Sequence, residues 1–291
     1  MTLFVGTSGW QYKDWRDVLY PADVPMRLWL EEYARRFATV EINNAFYRLP
    51  SRETFESWRE RVPQDFVVAV KASRYLTHIK RLRDPEEPVH RLMDHAAGLG
   101  GRLGPVLLQL PPTLRADAAL LDDCLACFPS GTRVAVEPRH DSWWTSEVRG
   151  VLEARGAALC WADVLSRPVT PLWRTADWGY VRFHAGRAQP WPRYGRRSLT
   201  SWVQRIAEAW PDDRDVHAYF NNDPHAAAVE DARVFARVAG AAGLAVTRTP
   251  QQLGAAPASA AQSQEMSGRS PCGAEPARPN RAAGRPASQL P

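Results

Sequence analysis

TVEINNAFYRLP, residues 39–50, begins like a strand made for a protein interior and ends in groups that resist one. On a strand Glu41 and Asn43 share one face, opposite Ile42. A carboxylate and an amide closing an apolar run make sense if other strands end the same way and the ends meet.

Working outward, short apolar runs recur at LFVG (3–6), TVEIN (39–43), FVVAVK (66–71), VLLQL (106–110), RVAVE (133–137), ALCWAD (158–163), YVRFH (180–184) and VHAYFNN (216–222). These read as strands. Helical patterns separate them: MRLWLEEYARRF, SRETFESWRERV, EPVHRLMDHAAGL, ADAALLDDCLACF, SEVRGVLEARG, SLTSWVQRIAEAW and HAAAVEDARVFARVAG. Several open with Ser, Asp or Pro in capping positions. Only the crossover between ALCWAD and YVRFH lacks a clear helix. Eight strands alternating with helices over residues 1–250 predict an α/β fold, a TIM (β/α)8-type barrel. A doubly wound open sheet is the alternative, but no G-x-G-x-x-G follows the first strand.

Composition sets limits. The 291 residues are 45% hydrophobic and 10% aromatic, enough for a substantial core. Net charge is +5 and the pI about 9.2, compatible with an acidic partner without requiring one. Lysine occurs only at 13, 71 and 80, so nearly every basic residue is arginine. No apolar run approaches the roughly 20 residues of a membrane span, and MTLFVGTSGW has neither a basic nor an apolar leader region. The expected location is cytoplasmic. Cys124, Cys127, Cys160 and Cys272 are too scattered for a disulfide framework, and LLDDCLACF reads as helix rather than metal knuckle. Residues 251–291 are rich in Ala, Pro, Ser and Arg with few large aliphatics, which predicts a disordered tail. The tail holds four arginines against two glutamates, so residues 1–250 are only slightly basic.

The polar ending seen at TVEINN recurs along the chain: Thr7 and Ser8, Glu41 and Asn43, Lys71, Gln109, Glu137 with Arg139 and His140, Asp163, Arg182 with His184, and Asn221 with Asn222. In a barrel these ends share one rim, where active sites are built. Satisfied polar groups and neutralising ion pairs in an end layer are the plainer alternative.

GTSGWQYKDWRDVLYP, YARRFATVEINNAFYRLP, FVVAVKASRYLTH, LGPVLLQLPP, VAVEPRHDSWW, YVRFHAG and YFNND together resemble the YecE-like family, a domain-of-unknown-function family of TIM-barrel proteins, over about residues 3–240. The resemblance implies a TIM barrel and names no reaction. One departure is visible: the family usually reads His-Gly after strand seven, whereas this chain has His184, Ala185, Gly186.

Lys71 stands out in an arginine-biased chain. In a low-dielectric pocket a lysine can lose its proton and act as a base or Schiff-base nucleophile, which arginine cannot. An ion pair with Glu41 or Glu137 is the competing reading. Glu41, Glu137 and Asp163, with His184, are candidate proton-transfer groups; the carboxylates also suit a weakly held magnesium or manganese ion. Only His140 and His184 fall at the rim, which disfavours zinc, and His217 falls at the opposite strand end. The loops KASRYLTHIKRLR (71–83) and RFHAGRAQPWPRYGRR (182–197) each carry five basic residues and no acid. The second interleaves Arg with Trp191 and Tyr194, as phosphate- and base-binding surfaces do, while Trp10, Tyr12, Trp15, Tyr47, Trp143 and Trp144 add aromatics near other strand ends. Two functions follow. One is an enzyme on a phosphorylated substrate (phosphoester hydrolysis or proton transfer), with Arg182, Arg193 and Arg197 holding phosphate and Asn43, Gln109, Arg139, His140, Tyr194, Asn221 and Asn222 lining the site. The other is a non-catalytic nucleic-acid-binding protein.

Overall fold

The computed structural model describes residues 1–211 and 214–253. The expected tail lies outside the described residues apart from positions 251–253, where Leu253 still packs against the core.

Every expected strand forms. β1 (Thr2–Thr7), β2 (Thr39–Ile42), β3 (Val67–Lys71), β4 (Leu103–Gln109), β5 (Val134–Glu137), β6 (Ala158–Leu159), β7 (Trp161–Val164), β9 (Gly179–Ala185) and β10 (Asp215–Phe220) are joined by the short pieces β8 (Arg167–Pro168) and β11 (Ala245–Val246). ALCWAD is therefore two strands, interrupted at Cys160. The helices are α1 (Trp29–Arg36), the single turn α2 (Asn44–Tyr47), α3 (Arg52–Arg61), α4 (Glu86–Ala96), α5 (Ala118–Ala126), α6 (Ser146–Ala154), α7 (Arg196–Ala209) and α8 (Ala227–Ala241). Ser51, Asp117 and Thr145 each accept a backbone N–H of the first turn, which starts α3, α5 and α6 where they start. No helix joins β7 to β9; the crossover instead turns back as β8, antiparallel to β7. Among the described residues no helix is long and apolar enough to cross a membrane.

The strands hydrogen-bond as two sheets, ordered β11-β1-β10-β9-β7-β8 and β2-β3-β4-β5-β6, parallel throughout except for the edge strand β8. The expected single closed sheet is thus not what forms. At one seam β1 and β2 share only the isolated Ser8–Glu41 bridge. They can approach there because Gly6 has no side chain; a Cβ would run into the Thr39 carbonyl. At the other seam the Cys160 N–H turns to Val136 O of β5, at 2.8 Å, before β7 joins β9.

Inner faces of the two sheets fill one cluster. Ala69, Leu107, Ala135 and Ala158 come from one sheet; Tyr180 and Tyr219 come from the other, with Trp178 just before β9. Small residues on one side leave room for rings on the other. The Tyr219 hydroxyl meets the Thr39 hydroxyl at 2.7 Å and ties the sheets together. A larger cluster packs the outer sheet faces beneath the helices, including Trp15, Trp29, Trp143 and Trp202.

Near the beginning of β10, His217 is buried and stacked on Phe4 at 4.8 Å, and neither ring nitrogen has a hydrogen-bond partner among the described residues. Burial, helped by Arg133, pushes its pKa down to about 3. The folded state keeps this imidazole neutral, whereas an unfolded chain protonates it near pH 6.5. Its contribution to stability is therefore complete above that pH and is lost as pH falls towards 3. Urea unfolding is expected to show a loss of about 2–3 kcal/mol from this group between pH 7 and 4.5, absent in His217→Phe. Equal acid sensitivity in the two proteins would contradict this.

Candidate functional site

Two residues beyond Thr39 and beyond five members of the inner cluster, on the same strand face, stands a polar group. Thr39 is followed by Glu41, Ala69 by Lys71, Leu107 by Gln109, Ala135 by Glu137, Tyr180 by Arg182 and Tyr219 by Asn221. The strand period of two stacks them as one polar layer above the core.

At its centre the Arg182 guanidinium, 1% exposed, spans two fully buried carboxylates. Nη2 donates to Glu41 Oε1 at 2.7 Å and Nη1 to Glu137 Oε2 at 2.7 Å, with Gln109 Oε1 at 3.4 Å. The remaining Glu41 valences are taken by the Ser8 hydroxyl at 2.5 Å and the Tyr180 hydroxyl at 2.6 Å. Glu137 Oε1 receives Arg139 Nη2 at 2.6 Å and His184 Nε2 at 2.8 Å. Asn221 Nδ2 lies 3.2 Å from His184 Nδ1, an arrangement that makes Nδ1 the acceptor and leaves the proton on Nε2, facing Glu137. Burial lowers the His184 pKa despite Glu137, so the ring is neutral. Burial also opposes charge on Glu137, but Arg182, His184 and Arg139 outweigh it and hold the carboxyl well below the usual range.

Lys71 is different. Only 9% of it is exposed, yet its ammonium has no hydrogen-bond or ion-pair partner among the described residues; it sits over the Phe46 ring, 4.2 Å from Nζ to the centroid. The expected pair with Glu41 or Glu137 does not form, because Arg182, Arg139, Ser8, Tyr180 and His184 already occupy both carboxylates. Desolvation, with Arg182 adding repulsion and the two glutamates acting the other way, brings its pKa down to about 8. His78 stands edge-on to the same Phe46 ring at 4.9 Å, and burial and Lys71 lower its pKa too. It lies in a five-residue π-helical turn, Tyr75–Ile79, a local form often found at functional sites.

The description "Protein of unknown function DUF72" matches residues 4–261, most of the chain. The chain belongs to the DUF72 family. A relative named UPF0759 protein YunF, from Bacillus subtilis, is 24% identical over 257 residues, covering 76% of this chain and 89% of YunF. UPF0759 protein YecE of Escherichia coli is 29% identical over 143 residues, and the match spans only 49% of this chain and 50% of YecE. A crystal structure of a DUF72 family protein from Thermotoga maritima superimposes with TM-score 0.70 at 26% identity, over 80% of this chain and 96% of that one. One from Enterococcus faecalis reaches TM-score 0.70 at 19% identity, a likeness of fold alone.

In this DUF72 chain several expected site residues lie elsewhere. Asp163 shares its strand face with Trp161, on the helix side, where Tyr194 Oη and Trp202 Nε1 bond it at 2.9 and 2.7 Å. Asn222, out of phase with Asn221, bonds Asp231 of α8 at 2.7 Å. His140 caps the short turn Asp141–Trp143 through the Ser142 N–H at 3.1 Å. Asn43 precedes α2, and its side-chain Oδ1 is buried without a hydrogen-bond partner among the described residues. The arginine-aromatic loop is likewise committed to the fold. Arg182 is sealed beneath the surface and cannot hold a phosphate while it bridges two carboxylates. Tyr194 is buried with its hydroxyl on Asp163, so it offers no stacking face. Arg193 pairs with Glu230 at 3.3 Å, and Trp191 stacks on His225 at 3.3 Å between centroids. Arg197 is exposed on α7. The inserted Ala185 gives its N–H to Tyr194 Oη, and Gly186 passes so close to the Arg193 carbonyl that no Cβ fits. Of the aromatics near strand ends, Trp10, Trp15 and Trp143 are core, whereas Tyr47 stands 82% exposed. Sequence reasoning missed Tyr180, although its place two residues before Arg182 put it in phase, and Phe46 and His78, which approach Lys71 only through the fold.

Proposed function

We propose that this protein is an enzyme acting on a phosphorylated small molecule by proton transfer, with Lys71 moving the proton. The observation that carries the reading is an amine with no partner, set over an aromatic ring at the lip of a saturated polar layer, with a pKa of about 8. About a tenth of such amines are free base at pH 7. Glu41 and Glu137, with every oxygen engaged, serve as the frame that holds Arg182 and His184. Three cations, Arg182, Arg139 and Lys71, face two carboxylates, which favours an anionic substrate; Arg139, 26% exposed, is the cation nearest to hand for it. Among the described residues no three His, Cys, Asp or Glu gather into a set able to hold a metal ion, so the reading assigns the chemistry to the amine rather than to metal-assisted phosphoester hydrolysis. The reading also takes the two sheets as halves of a (β/α)8-type barrel, supported by the Ser8–Glu41 bridge and the turn of Cys160 to Val136, and a cytoplasmic site of action.

The test is incubation in D2O with a panel of phosphorylated aldehydes, ketones and hydroxy acids, following loss of C–H signals by proton NMR. Exchange catalysed by the wild type and lost in Lys71→Met is the expected result. Full exchange by Lys71→Met would overturn the assignment. Stabilisation by oligonucleotides alone, fading with salt, would favour the nucleic-acid-binding alternative instead.

A further inference from the structure

A second basic feature lies where strands begin, away from the Lys71 layer. Arg35 and Arg36 end α1, three residues before β2; Arg233 and Arg237 are one turn apart on α8; and Arg248 follows β11, which pairs with the first residues of β1. These five arginines line a cleft of about 540 Å³ with residues 246–252, and no acidic residue lines it.

Carboxylates outside the lining neutralise part of this charge. Glu32 holds Arg35 at 2.7 Å and Arg36 at 4.0 Å, Glu230 holds Arg233, and Asp65 holds Arg248 at 2.7 Å. Three acids thus answer four guanidinium groups. Arg237 has neither a hydrogen bond nor an ion pair among the described residues, and the buried Thr247 hydroxyl in the same lining also has no partner. Favourable helix-end electrostatics explain Arg35 and Arg36 at the close of α1. They do not explain Arg233 and Arg237, which repel each other at i,i+4 spacing.

We propose that this cleft binds a compact polyanion carrying a diphosphate or triphosphate group. Guanidinium forks match phosphate oxygens two at a time, several converging arginines favour more than one phosphate, and the volume is that of a small-molecule site. Arg237 is the free fork and Thr247 a ready hydroxyl. The site is independent of the Lys71 chemistry.

Calorimetric titration of the full chain with orthophosphate, pyrophosphate and tripolyphosphate at near-physiological salt tests it. Pyrophosphate and tripolyphosphate are expected to bind at least about tenfold more tightly than orthophosphate, and Arg237→Gln to weaken both about tenfold. Because the Arg237 side chain makes no hydrogen bond or ion pair among the described residues, this variant should keep the wild-type melting temperature without ligand. Arg237→Glu should abolish binding, and Lys71→Met should leave it unchanged. Absence of binding, indifference to both Arg237 variants, or loss in Lys71→Met would each overturn the proposal.

Discussion

Lys71→Met is expected to be more stable than the wild type at pH 7, by about 1–3 kcal/mol, while losing the proposed activity. A lysine whose pKa drops from 10.5 to about 8 on folding carries an ammonium disfavoured by roughly 3 kcal/mol wherever it is charged in both states. Methionine fills similar space without the charge, and the gain is reduced by the lost contact with Phe46, worth about 1–2 kcal/mol. The sign is checked by pH. Below pH 8 the cost of Lys71 is constant; between 8 and 10.5 the folded amine is neutral while the unfolded one is still charged, so wild-type stability rises. The advantage of Lys71→Met should therefore shrink from pH 8 to pH 10 in paired urea titrations. A stability loss at pH 7 would mean that Lys71 is a structural cation, and the functional reading would fall with it.

Arg182→Met is expected to have the opposite and larger effect. It leaves Glu41 and Glu137 fully buried without the cation that bridges them, a change that costs about 3–5 kcal/mol in comparable buried pairs. Its companion Glu41→Gln/Arg182→Met removes one of the stranded charges and should recover part of the loss. The deficit of the single variant should also narrow as pH falls towards 5, because Glu137, held well below the usual carboxylate range with the help of Arg182 in the wild type, takes up a proton more readily once that cation is gone. If Arg182→Met unfolds at wild-type urea concentrations, the bridge contributes little and the polar layer is not the rigid frame described.

The strand runs were legible because apolar runs bounded by polar ends survive any tertiary context, and the Glu41–Lys71–Glu137–Arg182 layer was legible because each residue closes such a run. Facing was harder. Asp163 and Asn222 also close runs, but they are in phase with Trp161 and Phe220, which pack towards helices; the small Ala162 beside Asp163 was the signal that the inner face lay one residue away. Tyr194 looked like a loop aromatic, and only the tertiary meeting with Asp163, Phe183 and Phe220 buries it. Closure of the sheet was not legible at all, since no hydrophobic pattern records the single bridge between β1 and β2 or the break at Cys160. The freedom of Lys71 was equally hidden, because its ion-pair partners are claimed by three residues of β9 and by Ser8 and Arg139 just beyond β1 and β5.

The direct measurement is a pH titration of the lysine side chains by carbon-13 NMR of their labelled Cε groups. The chain has only Lys13, Lys71 and Lys80, so three resonances suffice. One resonance is expected to titrate near pH 8 and to vanish in Lys71→Met, with that of Lys80, raised by its pairing with Asp84, above it. A Lys71 resonance that titrates only above pH 10 would show an ordinary ammonium and would contradict the proposed role.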